Sequence, residues 1–130
     1  MKNALSLSAL VLSLATSAAW AAPASPSEAI KIATNAGCMT CHHIEPGAKG
    51  PDGLAPIGPA WRDVSAKYQG QKDAQKSLTH IVLTGSNPYE SHWKGKVSGL
   101  AMPPNKVAIS EADANKVVAW IMSLEAKKQK

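Results

Sequence analysis

The stretch Gly37-Cys38-Met39-Thr40-Cys41-His42-His43 (GCMTCHH, residues 37–43) holds both cysteines of the 130-residue chain. Four chemistries fit two cysteines and adjacent histidines: a disulfide, a zinc site, a redox dithiol or a haem anchor. Structural zinc takes four protein ligands, and catalytic zinc takes three plus water. Cys38, Cys41 and one histidine reach three, and there is no second cysteine pair. A Cys-x-x-Cys dithiol belongs with a βαβ unit, and no strand-like alternation occurs anywhere in this chain. The pattern Cys-x-x-Cys-His is the attachment signature of a covalent haem. On a helical turn, cysteines three apart point to one side, and His42 projects under the iron as a neutral imidazole ligand. The haem reading leads, with a disulfide or a metal site as its alternatives.

The N-terminal context agrees. Residues 1–21 read MKNALSLSALVLSLATSAAWA. Lys2 is followed by an apolar run and by Ala19-Trp20-Ala21, which has the form of a cleavage site. The run is shorter than the ~20 residues of a membrane span. The expected organisation is a signal peptide over 1–21, cleaved near Ala21 rather than kept as an anchor, and a single domain over 22–130. The mature protein is then exported, and covalent haem attachment takes place outside the bacterial cytoplasm. Removing Lys2 lowers the formal charge from +5 to +4. That balance favours acidic partners. No basic run with interleaved aromatics points to nucleic acid, and no later segment is apolar enough for stable membrane insertion. The chain contains no Phe, so a bound cofactor would supply core that the side chains lack.

Periodicity predicts an all-α domain. Ser25-Pro26-Ser27-Glu28 reads as a capping box with proline at the first helical position. The helix it opens, with Ile30, Ala33 and Gly37 at helical spacing, is expected to lead straight into Cys38. Residues 44–60 contain four Gly and four Pro, too many for a regular element. A short helix is expected over 61–68, stopped by Gly70, and another over about 73–83, stopped by Gly85. A second long loop occupies 86–108. The last helix opens at Ser110-Glu111-Ala112-Asp113 and buries Ala114, Val117, Val118, Ile121 and Leu124. Trp120 sits at the margin of that face, and Lys127 and Lys128 close the helix. Long loops in a compact domain are usually functional.

A haem iron bound by His42 needs a sixth ligand or leaves an open position. Met39, Met102, Met122, His43, His80 and His92 are the candidates. Met39 lies between the cysteines, His43 is adjacent to His42, and Met122 reads as helix-core packing. Met102 stands in Leu100-Ala101-Met102-Pro103-Pro104-Asn105, where two prolines stiffen an extended chain. Met102 is the expected ligand and His92, in the second loop, its rival. His80 lies on the third helix beside the apolar stripe.

Cys38-Met39-Thr40-Cys41-His42, Gly58-Pro59-Ala60-Trp61, residues 63–68 (DVSAKY), Met102-Pro103-Pro104-Asn105 and the closing SEADANKVVAWIMSL occur in that order. With these motifs the chain resembles the small bacterial class I cytochromes c, periplasmic monohaem electron carriers with a short Met-Pro-Pro-Asn ligand loop. The resemblance covers nearly the whole mature chain. It implies about four helices wrapped around one covalent haem c, attached through Cys38 and Cys41. His42 and Met102 would be the axial ligands, and a proline carbonyl would accept from the His42 ring. Pro51 lies at the family's usual distance, whereas Pro59 has its downstream context and is the residue expected. Asn105 would donate toward the Met102 sulfur, Trp93 would approach a haem propionate, and His80 falls where a basic residue often stands. The implied function is electron transfer, without enzymatic activity, by a monomer exchanging single electrons with redox proteins. Lys67, Lys72, Lys76, Lys94, Lys96 and Lys106 would steer acidic docking surfaces. The alternatives are a haem subunit docked in a larger oxidoreductase through loop 44–60, and a ligand-binding or weakly peroxidatic protein should Met102 leave the iron.

Overall fold

The computed structural model describes residues 24–125. The leader, its cleavage point near Ala21 and the helix-closing Lys127 and Lys128 lie outside the described residues. Within them the chain forms α1 (Pro26–Asn35), α2 (Trp61–Tyr68), α3 (Ala74–Thr84) and α4 (Glu111–Ser123). Two 3₁₀ turns, Cys38–Thr40 and Pro51–Gly53, interrupt the connections. The only strand-like feature among the described residues is an isolated bridge between Lys94 and Val97. The fold is all-α, as the sequence periodicity requires.

α1 and α4 start where their cap chemistry dictates. Ser25 Oγ accepts from the Glu28 amide at 3.2 Å, with Pro26 in the first turn. The second half of the expected capping box is absent. The Glu28 carboxylate instead accepts from Lys116 Nζ on α4 at 3.2 Å. Ser110 Oγ likewise accepts from the Asp113 amide at 3.1 Å and starts α4. Two boundaries differ from the periodic reading. α1 stops at Asn35 because Gly37 takes φ +77°, a backbone state that glycine enters at no steric cost. The glycine that fits the helical spacing is therefore the break that turns the chain into the cysteine motif. α4 stops at Ser123, with Leu124 extended, so the helix ends before Lys127.

The core is assembled around α4. α1 presents Ala29 and Ala33, both fully buried, to Ala114, Val117, Trp120 and Ile121 of α4. Small side chains on α1 let the two helices approach closely. Trp120, expected at the margin, is 4% exposed. Its ring meets Trp61 edge-to-face, with centroids 5.5 Å apart and an interplanar angle of 86°. Such aromatic pairs add roughly 0.5–1.5 kcal/mol beyond their buried area. The two tryptophans supply the aromatic bulk that a chain without Phe lacks. α3 also packs against α4, where Gln75 Nε2 donates to Asn115 Oδ1 at 2.9 Å.

Loop 44–60 is more ordered than its composition suggests. The Gly50 amide donates to Leu54 O at 2.9 Å, closing a turn around Pro51–Gly53. The two long loops then hold each other. The Ser98 amide donates to Pro56 O at 2.9 Å, and the Gly99 amide donates to Ile57 O at 3.0 Å. Arg62 ties the start of this loop to α2 and the end of α4. Its Nε donates to Glu45 Oε1 at 2.8 Å and its Nη1 to the Glu125 carbonyl at 2.6 Å.

Candidate functional site

Between the helices and the second loop lies a mostly apolar cavity of about 600 Å³. Such a volume falls within the range of cofactor pockets. Cys38, Cys41, His42 and Met102 all line it. α4 contributes Ala114, Val117 and Ile121 to the same wall, so one stripe of α4 serves both the core and the cavity.

The cysteine motif reaches the cavity through the Gly37 turn. The Cys41 and His42 amides both donate to Cys38 O, at 3.2 and 3.1 Å. Cys38 and Cys41 are free thiols, not a disulfide, and half-buried. Burial is the main cause of a Cys38 pKa held above the ordinary thiol value, with Cys41 adding to it. Among the described residues no group of three or more His, Cys, Asp or Glu side chains is placed to hold a metal ion.

His42 is fixed on three sides. Its Nδ1 lies 2.8 Å from the Pro59 carbonyl. A carbonyl only accepts, so Nδ1 carries the proton and Nε2 keeps its lone pair. Burial lowers the His42 pKa, with the Pro59 carbonyl opposing that shift, and so favours the neutral ring. Trp61 stacks on the imidazole at 6.0 Å and 22°. On another side lies Gly58, whose amide donates to Cys41 O at 2.8 Å. A Cβ on Gly58 would fall 2.7 Å from His42 Cε1. Pro51 is elsewhere: it opens the exposed 3₁₀ turn, and its carbonyl accepts from the Leu54 amide at 3.1 Å.

Met102 is held against the end of α3. Gly85, at φ +86°, lets the Met102 loop approach so closely that a Cβ there would sit 3.0 Å from Met102 O and 3.1 Å from Pro104. Asn105 joins the loop to α3. Its Nδ2 donates to Pro103 O at 2.7 Å and to Val82 O at 3.3 Å.

The other candidates separate. Trp93 is half-buried and lines the cavity. His92 also lines it, from an exposed position with its ring 6.2 Å from that of Tyr68. His80 is exposed on α3 and away from the cavity wall. Met39 packs against the helical core. His43 lines a separate small cavity of about 70 Å³ with Glu45 and Lys96. The six lysines named above are all exposed. Sequence reasoning missed Gly58 and Ser86. Gly58 is visible in the sequence only as the first half of the Gly58-Pro59 pair. Ser86 carries no motif.

A single apolar cavity therefore gathers two thiols, a neutral imidazole with a free Nε2 and a thioether. This donor set fits a covalently attached haem better than a zinc ion, which an Sγ, Sγ, N, S set from such separated elements does not suit. Comparisons with known proteins point the same way. Residues 27–125 match the family model described as Cytochrome c. Cytochrome c-551 of Allochromatium vinosum is 34% identical over 93 residues, covering 72% of this chain and 82% of the relative. Cytochrome c2 of Rubrivivax gelatinosus is 36% identical over 100 residues, covering 76% and 96%. Among solved structures, Nitrosomonas europaea cytochrome c552 superposes with a TM-score of 0.55 at 32% identity, covering 72% of this chain and 96% of that one.

Proposed function

Because the chain belongs to the cytochrome c family, specifically to its small class I members, we propose that it is a periplasmic electron carrier whose one covalent haem has His42 and Met102 as axial ligands. The carrying observation is the convergence of Cys38, Cys41, His42 and Met102 on one apolar cavity. When bound, the haem supplies a one-electron iron couple, and an axial methionine raises its potential. The chain's own residues do the rest. Cys38 and Cys41 anchor the group through thioethers. Pro59 O fixes the His42 tautomer and ring orientation, the usual outer device on a metal-bound histidine. Gly58 and Trp61 keep that ring from turning. With His42 and Met102 both committed to the iron, no position is left for a substrate, so the protein carries electrons rather than turning over.

The route for electrons is the cavity wall formed by the second loop. Leu100 lines the cavity and is itself 84% exposed. A partner touching Leu100 therefore touches the cofactor's wall. Exposed Lys94, Lys96 and Lys106 on the same loop favour an acidic partner surface. No helix among the described residues is long and apolar enough to cross a membrane. The proposed organisation is a signal peptide over 1–21 and one haem domain over 22–130, acting as a monomer.

Two variants test the ligand assignment. Met102→Ala should remove the weak far-red band of the oxidised protein that accompanies methionine–iron bonding and should lower the potential. His92→Ala should keep both. A band that survives Met102→Ala overturns the assignment. Ready binding of carbon monoxide to the reduced wild type would argue against a carrier.

A further inference from the structure

The ligand loop has an unusual shortage of backbone donors. Pro103 and Pro104 have no amide hydrogen, so nothing between Met102 and Asn105 can hydrogen-bond through N–H. The loop must be held at its two ends. Its downstream end is held by α3 carbonyls: the Asn105 amide donates to Val82 O at 3.1 Å and the Lys106 amide to Leu83 O at 3.3 Å. These are among the carbonyls that a helix C-terminus leaves without partners. Upstream, the Gly99 amide is tied to Ile57 O three residues earlier, and Met102 itself is held by one residue. The Met102 amide donates to Ser86 Oγ at 2.8 Å. The Ser86 amide donates back to Met102 O at 2.9 Å. Ser86 follows Gly85, whose φ of +86° lets the two segments approach. Both backbone polar groups of Met102 are thus satisfied by the same residue.

We propose that Ser86 is a positioning residue for Met102. Its hydroxyl sets how firmly the thioether is held on the haem iron, and hence how closed the iron is to outside ligands. The proposal rests on the reading that Met102 is the axial ligand. Any displacement of Met102 from the iron moves its backbone or rotates its side chain. The reciprocal pair with Ser86 removes the first of these freedoms. Deleting the hydroxyl leaves the Met102 amide half-buried without its partner, while the return bond from the Ser86 amide is untouched. The loop loses one anchor and keeps its path.

The test uses the oxidised holoprotein and imidazole as the probe, followed by the Soret shift. Ser86→Ala should tighten the apparent imidazole Kd by about fivefold, the factor that one ordinary hydrogen bond supplies. Ser86→Thr, which keeps a hydroxyl, should return it toward wild type. Ser65→Ala is the control for general loosening, because Ser65 Oγ also donates to a backbone carbonyl, Leu124 O at 2.7 Å, away from Met102. It should leave the Kd unchanged. Equal tightening in Ser65→Ala and Ser86→Ala overturns the proposal. So does a wild-type Kd in Ser86→Ala when Met102→Ala binds imidazole strongly, and in that case methionine ligation survives. Met102→Ala binding no more tightly than wild type overturns the ligand reading itself. Amide exchange in the wild type gives a check free of variants: the Met102 N–H should be protected, and exchange at the rate of a free peptide refutes its hydrogen bond to Ser86.

Discussion

Replacing Gly58 with alanine places a single methyl group against the His42 ring. The new Cβ would stand 2.7 Å from His42 Cε1, 2.9 Å from Nδ1 and 3.1 Å from Cys41 O. Ordinary contact begins near 3.4 Å, so the first two overlaps are 0.7 and 0.5 Å. Gly58 does not have a left-handed φ, and the cost of alanine is therefore steric rather than conformational. The ring has little room to retreat. Trp61 stacks on it, and its Nδ1 is engaged by Pro59 O at 2.8 Å. Overpacking a well-filled site costs about 1–3 kcal/mol, and weakening the His42–Pro59 bond adds about 0.5–1.5 kcal/mol. Gly58→Ala should therefore lower the unfolding free energy of the holoprotein by about 2–4 kcal/mol, a large share of the ~5–15 kcal/mol typical of a domain. Denaturant unfolding followed at the Soret band measures this. The potential should move as well. A ring that donates less from Nδ1 is a poorer electron donor, the oxidised state loses support, and the potential rises. Gly47→Ala is the comparison, since its Cβ meets nothing within 4 Å and only its φ of +89° is penalised. A Gly58→Ala protein within about 0.5 kcal/mol of wild type, at an unchanged potential, would refute the steric account of how His42 is fixed.

Three further outcomes follow from the same geometry. Trp120→Ala removes a nearly buried indole and its edge contact with Trp61; loss of about 3–5 kcal/mol should show as a lowered denaturation midpoint, and a loss under about 1 kcal/mol would place Trp120 outside the core. Arg62→Ala cuts loop 44–60 from α2 and from the Glu125 carbonyl. The pair is partly exposed and screened, so the expected cost is about 1–2 kcal/mol, and a larger effect than that of Lys116→Ala, whose ion pairs with Glu28 and Asp113 are on the surface. Burial holds the Tyr68 pKa above its ordinary 10.0. The neutral phenol is thus favoured by folding, so its contribution is fully present below pH 10 and declines as pH rises through the higher folded value. Tyr68→Phe should flatten that part of the alkaline stability profile, and an unchanged profile would show that the phenol's burial has no energetic consequence.

Much of the fold was legible because local chemistry and tertiary packing agree. Ser25 and Ser110 are caps in the sequence and in the structure. α2 occupies the residues its stripe marks. Disagreements arose where one residue served two patterns. Gly37 fits helical spacing, yet a glycine beside a motif that must turn is worth more as a break. Glu28 completes a capping box on paper, but Lys116, 88 residues away, takes its carboxylate. Trp120 looks marginal on a helical wheel because Trp61, which buries its edge, belongs to a different helix. Loop 44–60 reads as structureless because its hydrogen-bond partners lie in residues 98–99, beyond any local window.

The sequence alone determined the chemistry: the Cys38-x-x-Cys41-His42 spacing, the proline-stiffened Met102 and the four helices follow from residue type and period, which are local properties. Tertiary structure decided which partners those groups meet. It put the Pro59 carbonyl, not that of Pro51, on His42, turned Asn105 to the end of α3, and set Ser86 opposite Met102. Those choices depend on distances between segments 16 to 23 residues apart. Such distances are set by how α2, α3 and the two loops close around a common cavity, and no local pattern along the chain records that closure.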